Sequence, residues 1–341
     1  MDEPTPERIM SVASGYGVSK ALLTATSLGL FGRLAKGAMS LEDIIAEYGL
    51  RQRPAMDVLD LLVSVGLLDR KGDGQGALYQ NTPETAEFLD PAKPRYVGGI
   101  IELWENRNFG FWAGLTNACQ TGEPQSESGK TGEGFFESLY ADPARLEAFM
   151  DAMTGSSRFL FERLSTRFPF DRYKTVADVG GADGLLSRLL AASHNHLSLV
   201  TLDLPAVTAI AQKRIEEEGL SDRISAVSGD FFTDPLPKAD IITMGMILHD
   251  WDLEKKKLLV RKAYEALEPS GALMVIESLI DDARRENTFG LFLSLNMLIE
   301  FGDRAFDYTA SEFIEWGREA GFRRFEVIPL TSQSSAAVAY K

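Results

Sequence analysis

Apolar positions in the first hundred residues recur at helical spacing. Through residues 7–36 they follow one another at i, i+3 and i+4, which predicts a long helix. Ser40, three residues before Asp43, is typical of a helix start. A second helix is predicted over about 54–65, and two short strands flank the Gly-rich tip 71–76. Helix, turn, helix and hairpin in this order predict a winged helix.

Residues 96–168 combine helical spacing with many aromatic side chains, among them Trp104, around a polar Gly-rich loop at 121–134. For any single ring, packing in a core is the commoner role. As a set, such side chains could also wall an apolar ligand pocket. Pro169 closes this part of the chain. We therefore expect three parts, namely a winged-helix domain over 1–100, a helical linker and pocket wall over 101–168, and an α/β domain over 169–341.

Beyond Pro169 the pattern alternates short apolar runs with amphipathic stretches. This alternation is typical of a parallel sheet with crossover helices on its faces, which is an α/β fold. The predicted strands are 175–179, 197–202, 223–227, 239–248 and 273–276, and the predicted helices are 185–192, one that ends at Glu218, and 252–267.

Polar residues follow these predicted strands where each one ends. Ligands of open parallel sheets bind beyond the carboxyl ends of the strands. The sequence therefore predicts a ligand site at this rim. The polar landmarks are Asp178 with the turn from Gly180 to Gly184, then Asp203, Asp230, His249 and Glu277.

The glycine turn does not match a dinucleotide fingerprint. G-x-G-x-x-G starting at Gly180 would need glycine where the chain has Ala182 and Leu185. A glycine turn still lets the backbone approach a ligand closely. Asp203 ends the next predicted strand, where an acid can accept hydrogen bonds from both ribose hydroxyls. This combination favours a nucleoside ligand that lacks the pyrophosphate.

Composition limits the candidate chemistry. The chain has 341 residues, 45% of them hydrophobic, which suits about two packed domains. Its single cysteine, Cys119, excludes an intramolecular disulfide and a Cys-based zinc cluster, and we expect no metal site.

The three histidines of the chain narrow the choice of a general base. His194 and His196 fall in a polar loop typical of solvated surface, which leaves His249 as the candidate. A structural histidine bonded to the backbone is the alternative for that residue. A base needs a partner on its other ring nitrogen, and Glu277 is placed to be that partner.

Charge argues against a polyanionic partner. The formal net charge is −15, and the first hundred residues hold 10 Lys and Arg against 13 Asp and Glu. A groove-reading winged helix is expected to be basic, so packing or dimerisation is the favoured role of this module and DNA binding the alternative. No apolar run is long enough to span a membrane, and the acidic amino terminus is unlike a secretory signal. We therefore expect a cytoplasmic protein that binds neither nucleic acid nor membrane.

Several short motifs occur in a characteristic order. They are Asp178-Val179-Gly180-Gly181-x-x-Gly184, Asp203-Leu204-Pro205, Gly229-Asp230-Phe231-Phe232, Leu248-His249-Asp250-Trp251, Tyr264-Glu265-Ala266-Leu267 and Val275-Ile276-Glu277. The set resembles the small-molecule O-methyltransferases of the plant caffeate and hydroxyindole type, which use S-adenosylmethionine (SAM) and have many bacterial relatives in natural-product pathways. The resemblance covers nearly the whole chain. It implies a Rossmann-like methyltransferase domain behind a winged-helix domain that forms a homodimer.

The resemblance also implies a role for each matching residue. His249 would deprotonate the acceptor hydroxyl, Glu277 would orient it, and Asp307 falls where the family has its second carboxylate, usually Glu. The acceptor would be a small aromatic or polyketide-like molecule with a phenolic or enolic hydroxyl. The implied SAM-binding residues are Asp178, Gly180, Gly181, Gly184, Asp203, Leu204, Asp230, Phe231 and Trp251, with Trp251 stacked on the adenine. The candidate acceptor-binding residues are Met153 and Met297, which match the family's ring-clamping methionines, together with Asn296 and Trp104.

The sequence departs from the family pattern at three places. Ala182-Asp183 replaces the usual residues of the glycine turn, and Asp183 could cap the following helix. Gly245 stands where plant members commonly have a cofactor-contacting Lys, and Asp307 is one methylene shorter than Glu. Two alternatives therefore stay open. One is a SAM-binding relative that has lost methyl transfer and performs hydroxylation, decarboxylation or a pericyclic reaction, and the other is a winged-helix regulator that senses a small ligand.

Overall fold

The computed structural model describes residues 3–127 and 139–341. The chain divides into two compact units. The first comprises the residues up to Gly110 together with Asp151–Ser156, and the second comprises Phe111–Met150 together with Ser157–Lys341. Residues 128–134 of the predicted Gly-rich loop lie outside the described residues.

The first unit contains the helices and the hairpin predicted for a winged helix. Ser40 caps the third helix by accepting a hydrogen bond from the Asp43 N–H at 3.1 Å, as predicted. The three short strands form an antiparallel sheet in the order β1-β3-β2. The elements are α1 (Glu7–Ser27), α2 (Leu30–Leu34), β1 (Met39–Ser40), α3 (Leu41–Tyr48), α4 (Gln52–Ser64), β2 (Leu68–Lys71), β3 (Leu78–Asn81), α5 (Pro83–Phe88), α6 (Gly98–Leu103) and a π-helix (Trp104–Asn108).

The long helix predicted over residues 7–36 is two helices in the structure. Gly29 adopts φ +71°, a left-handed conformation that glycine tolerates, and it separates α1 from α2. The amino-terminal half of α1 leaves a row of apolar side chains in solvent. Ile9, Met10, Val12 and Tyr16 are 71%, 61%, 76% and 72% exposed, respectively.

The second unit carries the alternating strands and helices predicted beyond Pro169. Most of their ends shift by one residue at most, but the strand predicted over 239–248 stops at Gly245 and the one predicted over 273–276 starts at Leu267. Two further helices and two further strands, which we did not predict, follow Glu277. The helices are α7 (Phe109–Phe111, which starts at the boundary of the units), α8 (Leu115–Thr121), α9 (Pro143–Arg167, of which 151–156 group with the first unit), α10 (Leu185–Ser193), α11 (Pro205–Glu217), α12 (Leu253–Ala266), α13 (Thr288–Phe301) and α14 (Ala310–Ala320). The strands are β4 (Thr175–Val179), β5 (Ser198–Asp203), β6 (Ile224–Ser228), β7 (Ala239–Gly245), β8 (Leu267–Glu277), β9 (Arg324–Pro329) and β10 (Ser335–Tyr340).

These seven strands form one sheet in the order β6-β5-β4-β7-β8-β10-β9. Strands β4 to β8 are parallel, as predicted, whereas β10 is antiparallel to both β8 and β9. The central strands are apolar on both faces, because helices cover each side. Along β4, for example, Val176 and Ala177 pack into cores on opposite faces. This is the doubly covered Rossmann-like α/β architecture expected from the sequence.

Candidate active site

The carboxyl ends of the parallel strands bring the predicted polar landmarks to one rim. Gly180 follows β4, Asp203 ends β5, and Asp230 lies just beyond β6. Glu277 is the last residue of β8. Because β4 lies between β5 and β7, the glycine turn stands at the middle of this rim.

The glycine turn is held in a conformation that other residues would not adopt easily. Gly180 and Gly184 have φ +69° and +76°, and Ala182, despite its side chain, has φ +50°. A Cβ on Gly180 would meet Ile247 Cδ1 at 2.3 Å, and one on Gly181 would meet Thr201 Oγ1 at 2.1 Å. The turn therefore requires glycine at these two positions for packing as well as for any approach of a ligand.

Asp203 joins the glycine turn to the end of β5. Its Oδ2 accepts a hydrogen bond from the Ala182 N–H at 2.9 Å, and its Oδ1 accepts one from the Leu204 N–H at 2.8 Å. Burial raises the pKa of Asp203 to about 6, although these two N–H groups act to lower it. Asp178, one strand away, accepts a hydrogen bond from the Thr243 hydroxyl at 2.7 Å, and burial raises its pKa to about 7. Asp178 therefore links β4 to β7 near the rim.

Asp183 anchors the turn from its other side. Its Oδ1 accepts a hydrogen bond from the N–H of Leu185, the first residue of α10, at 3.1 Å, but the N-cap position of α10 is Gly184 and not Asp183 as we expected. Its Oδ2 pairs with the guanidinium groups of Arg188, at 2.9 Å, and Arg214. Arg188 is itself buried and also pairs with Glu218. The residue that replaces the family's usual side chain is thus the centre of a buried ion-pair network.

An aromatic group stands at the β6 end of the rim. The Trp251 ring packs edge-to-face against Phe232 at 4.7 Å and against Phe231 at 6.1 Å between ring centres. The Lys255 ammonium lies 4.7 Å from the centre of the Trp251 ring. Asp230 fixes the loop below these rings, since its Oδ1 accepts a hydrogen bond from the Phe232 N–H at 2.8 Å.

His249 lies farther beyond its strand than predicted. We expected a strand over 239–248 with the imidazole directly at its end, but β7 stops at Gly245. Met246 has φ +57°, which breaks the extended backbone, and His249 then sits in a 3-10 turn at Leu248–Asp250. His249 is 7% exposed.

Three carboxylates surround the His249 ring. Nδ1 lies 3.3 Å from Asp307 Oδ1 and 3.7 Å from Glu277 Oε2, and Nε2 lies 3.4 Å from Asp250 Oδ1. The other oxygen of Glu277 accepts a hydrogen bond from the Leu248 N–H at 3.1 Å. The structure therefore brings together the three residues that we predicted as catalytic. One atom from each of them lies within 4.8 Å of the others, a spacing that some metal sites share.

Electrostatics in this cluster favour a protonated imidazole. Burial lowers the pKa of His249, but Glu277, Asp250 and Asp307 raise it, and the net pKa lies well above the ordinary value. Burial raises the pKa of Glu277 to about 7 and that of Asp250 to about 6. These groups titrate as a coupled set, so the protons belong to the cluster rather than to single residues.

Two residues near this rim were missed by the sequence analysis. Lys256, completely buried, lies close enough to Glu277, Asp307 and Asp250 for their charges to raise its pKa, against a larger lowering by burial. Burial, together with the charges of Asp203 and Asp250, raises the pKa of Tyr140 well above its ordinary value. Lys256 was hidden in a run of three lysines that resembles a solvated surface, and an isolated Tyr carries no sequence signal.

The candidate acceptor-binding residues fall in both units. Trp104 begins the π-helix of the first unit, and Met153 belongs to the part of α9 grouped with that unit. Asn296 and Met297 are buried on α13 in the second unit. Asn296 Oδ1 accepts a hydrogen bond from Trp112 Nε1 at 3.2 Å. The role of all four residues in acceptor binding stays a prediction.

The glycine at position 245 has a local explanation. A Cβ there would lie 3.0 Å from Cζ of Phe161, a buried ring on α9. A lysine at this place would need that ring to move, so Phe161 occupies space that a longer side chain would enter.

The other two histidines bond to backbone carbonyls, His194 Nε2 to Ser165 at 2.9 Å and His196 Nε2 to Phe170 at 3.3 Å.

No helix among the described residues is both long and apolar enough to cross a membrane.

Two family models match the chain. The O-methyltransferase domain matches residues 112–323, and the O-methyltransferase dimerisation domain matches residues 10–90.

Individual relatives agree with these family models. The chain is 35% identical to the tetracenomycin polyketide synthesis 8-O-methyl transferase TcmO of Streptomyces glaucescens, over 98% of this chain and 97% of TcmO. It is 34% identical to the N,N-dimethyltransferase OxyT of Streptomyces rimosus, over 92% and 90% of the two chains. The solved structure of human N-acetylserotonin methyltransferase in complex with SAM aligns with a TM-score of 0.88 at 26% identity, covering 100% and 99% of the two chains.

Proposed function

Since this chain belongs to the O-methyltransferase family and is a SAM-dependent O-methyltransferase, we propose that its acceptor is a phenolic or enolic hydroxyl of a small aromatic, polyketide-like molecule and that His249 is the general base. The placement of the imidazole is the observation that supports His249 as the general base. Nδ1 faces Asp307 at 3.3 Å and Glu277 at 3.7 Å, so a proton on Nδ1 is held by carboxylates. Nε2 faces one carboxylate, Asp250 at 3.4 Å, where Nδ1 faces two, so Nε2 is the nitrogen that we assign to accept a proton.

The donor set at the rim suits SAM. The carboxylate of Asp203 can accept hydrogen bonds from ribose hydroxyls, the glycine turn allows close approach, and Phe231 and Trp251 offer apolar faces to an adenine. Asp178, Gly180, Gly181, Gly184, Leu204 and Asp230 complete the set of proposed cofactor-binding residues. The bound cofactor supplies a methyl group that its sulfonium has already activated.

The protein's own task is then to make the acceptor oxygen nucleophilic. A phenol is a poor nucleophile until it loses its proton, and His249 Nε2 would take that proton during transfer. General-base help of this kind contributes about 10²–10⁴-fold. Asp250, Glu277 and Asp307 stabilise the imidazolium that forms, because all three carboxylates lie within 4 Å of a ring nitrogen. Holding the two reactants in line supplies a further part of the rate.

The relatives support a polyketide as the acceptor class, since TcmO is named for polyketide synthesis. OxyT is named as an N,N-dimethyltransferase, so an amine acceptor is the alternative that the test must separate. A base is needed before transfer to a phenol, whereas an amine attacks through its own lone pair and loses its proton afterwards. The retained imidazole with two carboxylates on Nδ1 therefore favours a hydroxyl.

We also propose that the chain forms a homodimer through its first unit. The dimerisation model covers residues 10–90, which include most of α1. The four exposed apolar side chains of α1 (Ile9, Met10, Val12 and Tyr16) would be covered in a dimer, and exposed apolar patches commonly mark such contacts. The test is light scattering of the wild type and of Val12→Asp, which we expect to be dimeric and monomeric, respectively.

The proposed activity is tested with SAM and paired acceptors. Each hydroxylated naphthalene or anthracene would be offered beside the amine of the same skeleton, with formation of S-adenosylhomocysteine and methylated product followed by mass spectrometry. We expect O-methyl products that persist in EDTA. Loss of activity in EDTA would indicate that the His249 cluster holds a cation, and tight SAM binding without turnover would favour a relative that has lost methyl transfer.

A further inference from the structure

Lys256 is a charged residue with no side-chain exposure at all. It lies in the first turn of α12, where its N–H donates to the Asp252 carbonyl at 2.9 Å, and its relative exposure is 0%. Lysine is almost never fully buried unless it is paired. Its neighbour Lys257, by contrast, forms an exposed ion pair with Glu319 at 2.9 Å. The burial of Lys256 therefore calls for a specific set of partners.

The Lys256 ammonium has a partner on each of two segments. It donates a hydrogen bond to the backbone carbonyl of Trp251, and it lies 3.6 Å from the centre of the Phe306 ring and 5.9 Å from that of Tyr308. An ammonium over an aromatic face is attracted by the ring, most strongly when both are desolvated. Lys256 thus bridges the turn before α12 and the segment before α14.

One of these two segments adjoins His249, and the other contains Asp307. Trp251 follows the turn that holds His249, and Phe306 and Tyr308 flank Asp307 in the chain. The Phe306 N–H also donates to the His249 carbonyl at 3.0 Å. Any change in the position of the Lys256 ammonium would therefore be felt on both sides of the contact between His249 and Asp307.

The surroundings of Lys256 are rich in acid. The charged and titratable groups around it and around His249 come from every neighbouring segment, namely His249, Asp250, Asp252, Glu277, Glu300, Asp307 and Tyr308. Buried carboxylates are stable as anions only when they are paired or hydrogen-bonded. Burial lowers the pKa of Lys256 to about 8, so it is still a cation at neutral pH. It supplies a buried positive charge that this acidic cluster needs.

We propose that Lys256 is a positioning residue for methyl transfer, whose buried ammonium ties the turn of His249 to the segment of Asp307 and offsets part of the negative charge around the imidazole. This inference rests on the proposed role of His249 as the base. It predicts an effect on the pH dependence of the reaction. Removing a positive charge makes the cluster bind its first proton at higher pH, whichever group takes that proton. The acid limb of the pH–rate profile, that is, the part in which the rate rises with pH, therefore moves to higher pH.

Three variants separate charge from tether. Lys256→Met removes both, Lys256→Gln keeps a hydrogen-bond donor without charge, and Lys256→Arg keeps the charge. Lys257→Met, one residue along the same helix, is the matched control, since Lys257 pairs only at the surface among the described contacts. Thermal unfolding and SAM titration identify the folded variants, and kcat and KM are then measured over roughly pH 6 to 10.

We expect the acid limb of Lys256→Met and Lys256→Gln to move up by about one to two pH units, with SAM affinity changed by less than about threefold. Lys256→Arg and Lys257→Met should keep the wild-type profile. A folded neutral variant whose acid limb stays at the wild-type pH would overturn the proposal, because a lysine that only stabilises the fold would lower the melting temperature without moving that limb.

If neither neutral variant folds, the wild type itself carries the test. With ¹⁵N-labelled lysine, the Nζ signal absent from Lys256→Arg belongs to Lys256, and it should be an ammonium at neutral pH. A neutral amine there would overturn the proposal. A wild type that binds SAM but methylates no acceptor would contradict the proposed function instead, and the Nζ signal would still report the charge assigned to Lys256.

Discussion

Nδ1 of His249 lies 3.3 Å from Oδ1 of Asp307, closer than the 3.7 Å that separates it from Oε2 of Glu277. Aspartate reaches the imidazole here although it is one methylene shorter than the glutamate usual in the family. Two backbone hydrogen bonds explain the reach. The Phe306 N–H donates to the His249 carbonyl at 3.0 Å, and the Ile280 N–H donates to the Tyr308 carbonyl at 2.9 Å, so the chain on both sides of Asp307 is drawn towards the site.

Asp307→Asn should lower kcat by about 10- to 100-fold while SAM affinity stays close to that of the wild type. The amide keeps the shape of the side chain but no longer stabilises the imidazolium. Because Asp307 is one of the groups that raise the pKa of His249, the acid limb should also move to lower pH. Asp222→Asn, an exposed aspartate of the same unit, is the control. An unchanged kcat in Asp307→Asn would remove Asp307 from the catalytic set.

The kcat/KM of the wild type should rise with pH about tenfold per unit on its acid side. The neutral form of His249 is the base, and the surrounding carboxylates hold the pKa of His249 well above its ordinary value. The half-maximum should therefore lie above about pH 6.5, the usual pKa of a histidine. Steady-state rates in buffers of constant ionic strength would measure this profile. A half-maximum below that pH would contradict the electrostatics described for the cluster.

Asp203→Asn should weaken SAM binding by about tenfold or more, with a much smaller effect on kcat at saturating SAM. The carboxylate holds the Ala182 N–H at 2.9 Å and is also the proposed acceptor for the ribose hydroxyls. Isothermal titration with SAM, beside the Asp222→Asn control, gives the affinity. If SAM bound equally well to both variants, Asp203 would be a support of the turn and not a cofactor ligand.

Gly180→Ala and Gly219→Ala form a matched pair. Both glycines have φ +69°, so each substitution carries the conformational penalty of about 1–2 kcal/mol. A Cβ on Gly219 meets nothing within 4 Å, whereas one on Gly180 meets Ile247 Cδ1 at 2.3 Å. Gly180→Ala should therefore lose about 1–3 kcal/mol more free energy of unfolding, and SAM affinity with it. Equal losses in chemical denaturation would show that the glycine turn is not tightly packed.

The strands and helices from Thr175 to Glu277 could be predicted because their apolar runs are local signals. The rim could be predicted too, since parallel strands bring their carboxyl ends to one edge. Strand β10 could not, because its place in the sheet depends on pairing with β8, which lies far earlier in the chain, as well as with β9. The end of β7 was predicted too late, since nothing in the sequence marks the positive φ of Met246.

Part of the candidate site could likewise be predicted from the sequence, and part of it could not. His249 was predicted by elimination among the three histidines, Glu277 from its place at a strand end and Asp307 from the family resemblance, and the structure places them together. Lys256 was missed because Lys255-Lys256-Lys257 has the pattern of a solvated run, and only the packing of Phe306 and Tyr308 over one of the three buries it. Burial of a single charged residue within a charged run is a tertiary property.

Single-turnover methylation by His249→Gln tests the central claim most directly. The enzyme would be loaded with SAM, mixed with the acceptor on which the wild type is most active, and the methylated product followed by mass spectrometry across the pH range. We predict that His249→Gln binds SAM as the wild type does, loses at least about 10²-fold in the rate of transfer, and no longer shows the acid limb. A variant that methylates at the wild-type rate with the wild-type pH profile would contradict His249 as the general base.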